Sequence, residues 1–147
     1  MSSSVISRSL TLPLHDASEM HVDITGDGVP LLFLHGMLGQ GADWRHVFGE
    51  PPPGYRIIAP DLRGHARSTG GREVFSFREV AGDIARLLDV LEVAHVRVIG
   101  VSGSGIAALH LATSTPDRFS HLILVSVAQP LRFVIAAHEA TPRMNFR

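Results

Sequence analysis

The residue best placed to do covalent chemistry is Ser102, in the segment Gly-Val-Ser-Gly-Ser that runs from Gly100 to Ser104. This segment directly follows an apolar run typical of a buried strand and directly precedes an apolar helix. Small residues on both sides of a serine at such a junction are typical of a nucleophile elbow, in which a sharp turn pushes the hydroxyl out above the sheet. The N-terminus of the following helix favours the negative charge that develops during attack. We therefore predict that Ser102 is a nucleophile.

Three other interpretations of this segment fit less well. Ser102 can be read as a helix N-cap alone. Ser104 can be read as the nucleophile, but Ile106 would then occupy a position that must be small. The run from Gly103 to Ala108 matches the dinucleotide pattern G-x-G-x-x-A, but no carboxylate ends the next apolar run, about 20 residues on, to hold a ribose. We therefore expect no cofactor.

Composition removes several classes of chemistry. The chain has 147 residues, no cysteine, and no lysine among its 13 basic residues. Disulfides, thiolate nucleophiles, Schiff-base lysines and the phosphate-binding lysine of a P-loop are therefore excluded. The formal net charge is -1 and no basic stripe is present, so we expect neither a nucleic acid nor a membrane as a partner. The histidine spacing predicts no metal site, and the lack of a signal-peptide core or membrane-length apolar run favours a cytoplasmic location.

The elements that must position Ser102 follow from the hydrophobic pattern. Residues 10–14 and 20–24 alternate apolar and polar side chains, which predicts an antiparallel hairpin. Four later runs are continuously apolar and predict strands buried on both faces, at residues 30–34, 55–59, 96–100 and 121–125. A capping box at Ser76 begins an amphipathic helix that extends to Leu91, and an apolar helix follows the elbow. We predict an α/β fold with a mostly parallel, doubly wound sheet and an N-terminal antiparallel hairpin.

Two further motifs precede the elbow. Leu-His-Gly-Met, ending at Met37, follows the predicted strand 30–34, and Asp-Leu-Arg-Gly-His-Ala-Arg-Ser, residues 61–68, follows the predicted strand 55–59. With the elbow, these motifs resemble the α/β-hydrolase superfamily over roughly residues 9–128, and serine esterases, lipases and C–C hydrolases in particular. Ala66 and Ser104 stand where the family pattern has glycine. The resemblance implies an α/β-hydrolase core.

The resemblance also implies roles for the residues around Ser102. The backbone N–H groups of Met37 and Gly103 would form an oxyanion hole for the carbonyl oxygen of a bound substrate. The residues implied to support these loops or line the pocket are His35, Gly36 and Ser104. Asp61 and Arg63 are implied to stabilise their loop, with a catalytic role as the alternative.

The general base and its orienting acid are missing from the predicted site. In this fold an Asp or Glu and then a His follow the nucleophile on later strands. The acids and histidines after Ser102 are Asp117, Glu139, His110, His121 and His138. Asp117 and His121 flank the start of the last predicted strand, so they lie at the end of the sheet opposite the elbow. We therefore assign residues 1–130 to the N-terminal half of a hydrolase core and leave 131–147 as a tail in which a cap segment would begin, and we expect a truncated product or one part of a longer chain.

The predicted activity is attack on an ester, lactone, thioester or related acyl bond through an acyl-enzyme at Ser102. The expected partner is a small acyl substrate. The chain by itself is expected to be inactive, and the alternative is a non-catalytic fragment that acts as a binding or interaction module. An unpaired edge on the last strand would permit a homo-oligomer.

Overall fold

Residues 7–70 and 75–127 are described by the computed structural model of the chain. The strands are β1 (Ser7–Pro13), β2 (Glu19–Gly26), β3 (Val29–Leu34), β4 (Tyr55–Pro60), β5 (Val96–Val101) and β6 (Phe119–Val125). The helices are α1 (Trp44–Phe48), α2 (Phe77–Val90) and α3 (Gly103–Ser114), with single 3-10 turns at Gly41–Asp43 and Pro116–Arg118. None of the helices in these two ranges is long and apolar enough to cross a membrane. The predicted tail at 131–147 lies outside the described residues.

The six strands form one sheet in the order β1-β2-β4-β3-β5-β6. β1 and β2 form the antiparallel hairpin, and β2 also pairs antiparallel with β4, whereas β4, β3, β5 and β6 are parallel. In the centre of the sheet Leu34 of β3 lies opposite Gly100 of β5. The loops that follow β3 and β5 therefore open at the same end of the sheet. The predicted fold class is confirmed.

Helices cover both faces of this sheet. α2 begins at an N-cap, where the Ser76 hydroxyl accepts a hydrogen bond from the Glu79 backbone N–H at 3.3 Å. The apolar stripe of α2 and the almost wholly apolar α3 pack on one face with the larger core cluster, which includes Leu34, Ile58, Val98, Leu87 and Leu111. On the other face the side chain of Trp44, 1% exposed, packs with a smaller cluster of strand residues. Because both faces are covered, the central strands can be continuously apolar.

The last strand differs from its prediction. We expected β6 to be buried on both faces, but Ile123, Leu124 and Val125 are exposed by 54%, 38% and 43%. Within the described residues β6 pairs only with β5 and forms an edge of the sheet. The apolar run therefore predicted the strand correctly, but the prediction that the strand is buried was wrong. Burial depends on the elements packed beside the strand, which its own sequence does not specify.

Candidate active site

Ser102 lies on the sharp turn between β5 and α3. Its backbone has φ 54° and ψ -129°, a conformation that costs a non-glycine residue on the order of 1–3 kcal/mol. The Ser102 N–H donates to the Val125 carbonyl at 2.8 Å, and the Ser102 carbonyl accepts from the Gly105 N–H at 3.0 Å. The side chain is exposed and makes no capping hydrogen bond. Helix capping therefore does not account for this serine.

The elbow closes tightly because of its small residues. A Cβ atom at Gly100 would lie 2.8 Å from the Gly105 Cα and 3.3 Å from the Ala108 Cβ. Backbone atoms cannot move aside at that distance without shifting the start of α3. A Cβ atom at Gly105 would in turn overlap the Cγ2 atom of Val127. Gly105 is thus a second position that must be small, one residue beyond the position predicted from the pattern.

Ser104 lies beneath the elbow and is 1% exposed. Its hydroxyl donates to the Leu34 carbonyl at 2.7 Å, lies 2.9 Å from the Val101 carbonyl, and accepts from the Val101 N–H at 3.2 Å. These bonds join the elbow to the end of β3. The buried Ser104 side chain therefore supports the elbow and does not line a pocket. A glycine at this position could not make the hydrogen bond to β3.

The loop after β3 brings Met37 beside the elbow. A Cβ atom on Gly36 would lie 3.6 Å from the Ser102 Cβ, and a Cβ atom on Gly103 would lie 3.0 Å from the Met37 Cγ and 2.9 Å from the Phe77 Cζ. Gly103 is the first residue of α3, so its N–H has no partner within the helix. In the described part of the chain, neither this N–H nor that of Met37 donates to another protein group. Two unpaired backbone donors therefore flank the serine.

His35 is buried behind this loop, 1% exposed. Its Nδ1 donates to the Gly36 carbonyl at 2.7 Å, and its Nε2 accepts from the Leu62 N–H at 3.0 Å. Because an amide N–H can only donate, Nε2 carries no proton and the ring is neutral. Burial lowers the pKa of His35 below its ordinary value, in agreement with a neutral ring. Both nitrogens are occupied by the backbone, so His35 fits loop support and cannot serve as a base.

Asp61 and Arg63 are both held by hydrogen bonds to other loops and to helix α2. Asp61 accepts from the Gly41 N–H and the Arg67 Nε, each at 2.7 Å. Burial opposes its charge, but the hydrogen bonds from Arg67 and Gly41 outweigh this and lower the pKa of Asp61. Arg63 is buried and pairs with Asp83 of α2. These contacts match the loop-stabilising roles that the resemblance implied and leave no triad acid here.

His65 also contacts the loop that carries Met37, and the sequence pattern assigned it no role. Its Nε2 lies 2.7 Å from the Met37 carbonyl and its Nδ1 lies 2.9 Å from the Arg63 carbonyl. The His65 and His35 rings meet edge to face with centroids 5.0 Å apart. One signal was available in the sequence: β3 and β4 are neighbouring parallel strands, so the loops that follow them must approach each other.

No general base reaches the serine within residues 7–70 and 75–127. No hydrogen bond joins the Ser102 Oγ to another of these residues. Asp117 lies in the 3-10 turn that precedes β6, and His121 pairs with Arg97 at the start of β5, so both lie at the far end of the sheet. His138 and Glu139 fall outside the described residues. The same ranges contain no group of three His, Asp or Glu side chains that could hold a metal ion.

A family model described as alpha/beta hydrolase fold matches residues 29–144. This range includes the loop after β3, the elbow and all four parallel strands. The chain belongs to the alpha/beta hydrolase family. The resemblance expected from the three motifs is thereby confirmed.

Several relatives of known structure or name resemble this hydrolase chain. Epoxide hydrolase 2 of Siraitia grosvenorii is 35% identical over 111 residues, which cover 74% of this chain and 35% of the relative. The structure titled epoxide hydrolase CorEH without ligand superposes with a TM-score of 0.77 at 26% identity, over 88% of this chain and 49% of that one. The N-acyl homoserine lactonase AidH, complexed with N-butanoyl homoserine, gives a TM-score of 0.73 at 25% identity, over 82% of this chain and 45% of that one. The chain spans about a third of the length of the curated relatives it matches.

Proposed function

We propose that this chain supplies the nucleophile and the oxyanion hole of a serine hydrolase that cleaves an ester, lactone, thioester or related acyl bond. The observation that carries the proposal is the strained, exposed Ser102, whose side chain makes no capping hydrogen bond and which lies beside two backbone donors that are unpaired among the described residues. A side chain held at such a cost without a structural bond is typical of a functional position. The proposal concerns the whole enzyme, because this chain spans about a third of the length of its curated relatives.

In the proposed reaction the Ser102 Oγ forms a bond to the acyl carbon, and the carbonyl electron pair moves to its oxygen. The N–H groups of Met37 and Gly103 stabilise this oxyanion, and loss of one such donor costs about 10²–10³ in rate. The pair then returns, the bond to the leaving group breaks, and the leaving group takes up a proton. Water hydrolyses the acyl-enzyme by the same two steps. The base that moves these protons must come from outside the described residues.

The relatives include epoxide hydrolases, and the chemistry of the nucleophile argues against that activity here. If a serine oxygen opened an epoxide, the product would be an alkyl ether, which water does not cleave under the same assistance. An aspartate in the same position would give an ester, which water can hydrolyse, and the resemblance associates aspartate at the elbow with epoxide opening and dehalogenation. Ser102 therefore favours acyl substrates, as does the likeness to a lactonase.

For the 147-residue chain alone we propose no triad-level activity. Without a base and its orienting acid, the oxyanion hole and binding leave about 10³–10⁴-fold acceleration over water. The chain should therefore react with a fluorophosphonate probe far more slowly than an intact serine hydrolase does. Stoichiometric labelling at the usual rate would contradict this part of the proposal. A purely binding function is the alternative, and it predicts no labelling of Ser102 even when the enzyme is completed.

The decisive experiment joins this chain to the C-terminal half of a homologous serine hydrolase and measures cleavage of p-nitrophenyl butyrate, a lactone and an aryl epoxide. We expect hydrolysis of the ester and the lactone, and none of the epoxide. Ser102→Ala should abolish that activity. Ser120→Ala, at an exposed serine at the start of β6, is the matched control and should leave it unchanged. Full activity in Ser102→Ala, or activity on the epoxide alone, would contradict the proposal.

The remaining expectations belong to the same proposal. The substrate is a small acyl compound, and nucleic acid and membrane are not partners. The location is the cytoplasm. A second copy of the chain, or the rest of the enzyme, pairs with the exposed edge of β6.

A further inference from the structure

His65 contacts two groups that can only accept hydrogen bonds. Its Nδ1 lies 2.9 Å from the Arg63 carbonyl and its Nε2 lies 2.7 Å from the Met37 carbonyl. A neutral imidazole has one N–H donor and one acceptor nitrogen, so it can satisfy only one of these two carbonyls. Both hydrogen bonds form together only when the ring is an imidazolium. The geometry of this histidine is therefore that of the protonated form.

The neighbouring His35 has the opposite requirement. It must be neutral, since its Nε2 accepts from the Leu62 N–H. Two histidine rings 5.0 Å apart are thus held in different protonation states by their backbone partners. Asp61 and Asp43 also lie near His35, and both raise its pKa against the larger lowering by burial.

The other charged groups of the His65 segment are engaged elsewhere. Arg63 directs its guanidinium to Asp83 and Asp16, and Arg67 bonds to Asp61 and Asp23. On the remaining side of the ring lies Phe75, which is not titratable, with centroids 6.3 Å apart. Among the described residues, then, His35 is the titratable side chain whose ring contacts that of His65.

Together the two histidines hold both peptide groups of Met37. His35 bonds the Gly36 carbonyl, which belongs to the same peptide as the Met37 N–H. In a trans peptide the N–H points opposite to the carbonyl, so this bond sets the direction of the donor. His65 bonds the carbonyl of the next peptide. The backbone on each side of Met37 is thereby fixed by a separate ring.

We propose that His65, as the imidazolium, is a positioning residue of the oxyanion hole: it fastens the Met37 carbonyl to the segment between β4 and α2 and so holds the Met37 N–H toward the acyl oxygen. The proposal rests on the proposed function for its catalytic consequence, though not for the clamp itself. When His65 loses its proton, it can donate to only one of its two carbonyls, and the loop is released on the other side.

Two variants separate the donor from the ring. His65→Phe keeps an aromatic ring and removes both donors, whereas His65→Gln keeps an N–H that can reach the Met37 carbonyl at any pH. We expect His65→Phe to lower kcat about 10–100-fold, less than the loss of an entire oxyanion donor, with little change in KM. His65→Gln should restore most of kcat and remove the decline of kcat toward high pH. His95→Gln is the control, because His95 also bonds one backbone carbonyl but lies beside Asp117, at the far end of the sheet.

Hydrogen exchange tests the clamp in the 147-residue chain without any assay of activity. Peptides that cover residues 36–41 report the turn in which the Gly39 N–H bonds the Gly36 carbonyl at 2.9 Å. Each variant is compared with the unaltered chain at pH 5.5 and at pH 8, so that the intrinsic pH dependence cancels. We expect faster exchange in His65→Phe at pH 5.5, a smaller difference at pH 8, and normal exchange in His65→Gln. Peptides from β2 show whether each variant is folded.

The outcomes are distinct. Equal exchange in His65→Phe and the unaltered chain at both pH values would overturn the clamp, whatever the enzyme does. Faster exchange with an unchanged kcat in the completed enzyme would overturn the positioning role. Activity that survives Ser102→Ala would refute the proposed function, and the exchange result would still decide whether the clamp exists.

Discussion

The ion pair between Arg63 and Asp83 offers a sharp test of what holds the loops of this site. Arg63 donates from Nε and Nη2 to the two carboxylate oxygens of Asp83 at 2.7 Å and 2.9 Å, and from Nη1 to Asp16 at 2.8 Å. Both members of the pair are almost fully buried, with exposures of 4% and 3%. The hydrogen bonds from Arg63 to Asp83 raise the pKa of the arginine, so it stays charged. The pair joins the β1–β2 turn, the segment after β4 and helix α2.

Asp83→Asn leaves the buried guanidinium with one charged partner, which is partly exposed. Removal of one member of a buried ion pair costs about 3–5 kcal/mol, because the remaining charge has lost its compensation. The same helix supplies a matched control in Asp89, 69% exposed and paired with Arg118 at 2.7 Å. An exposed pair is worth about 0–1 kcal/mol. Asp83→Asn should therefore lower the free energy of unfolding several-fold more than Asp89→Asn does.

Urea denaturation followed by circular dichroism measures both effects. An unchanged m-value with a lower midpoint would show a loss of stability without a change in the unfolded state. A double variant, Arg63→Met with Asp83→Leu, should recover most of the loss, since replacing both charges by apolar groups is often neutral. If Asp83→Asn and Asp89→Asn lower the free energy of unfolding equally, the buried pair does not hold these loops and the reasoning fails.

Three further predictions concern the elbow, acid and the sheet edge. Gly100→Ala should lower the free energy of unfolding by about 1–3 kcal/mol, because its side chain clashes with the start of α3. Gly82 lies in open space on α2, so Gly82→Ala should raise the free energy of unfolding by about 0.5–1 kcal/mol. Shifts of the urea midpoint in opposite directions would confirm this. Burial opposes the charge of Asp23, but hydrogen bonds from Ser9 and Arg67 lower its pKa to about 2 from 3.8. The stability it contributes is therefore present above pH 4 and lost as the pH falls toward 2, and Asp23→Asn should flatten the dependence of the urea midpoint on pH in that window. Light scattering should show that the chain self-associates through β6, and a clean monomer with normal stability would contradict this.

The fold was predictable because its signals are local and repeated. Alternation in the hairpin, continuous apolar runs in the central strands and a cap at Ser76 each specify an element without knowledge of the others. The burial of β6 was not predictable in the same way. An apolar strand at the edge of a sheet and one in its centre have the same composition, and only the neighbours distinguish them.

The site was predictable where it depends on strand ends. Parallel neighbours bring the loops after β3 and β5 together, so Met37 and Ser102 meet although 64 residues separate them. The same rule brings the loops after β3 and β4 near each other, but the particular contact between His65 and Met37 was not predictable, because no local pattern specifies the conformations of these loops. Gly105 was missed for a similar reason, because its restriction comes from Val127 on a later segment.

The proposed acyl transfer has a part that these residues would perform and a part that they would need from elsewhere. In that proposal, charge stabilisation uses the backbone donors at Met37 and Gly103, and one such donor is worth about 10²–10³ in rate. Proton transfer uses a His and an acid that this fold places after the nucleophile, and removing them leaves only about 10³–10⁴-fold acceleration over water. In a completed enzyme, loss of the base should therefore reduce kcat far more than His65→Phe does.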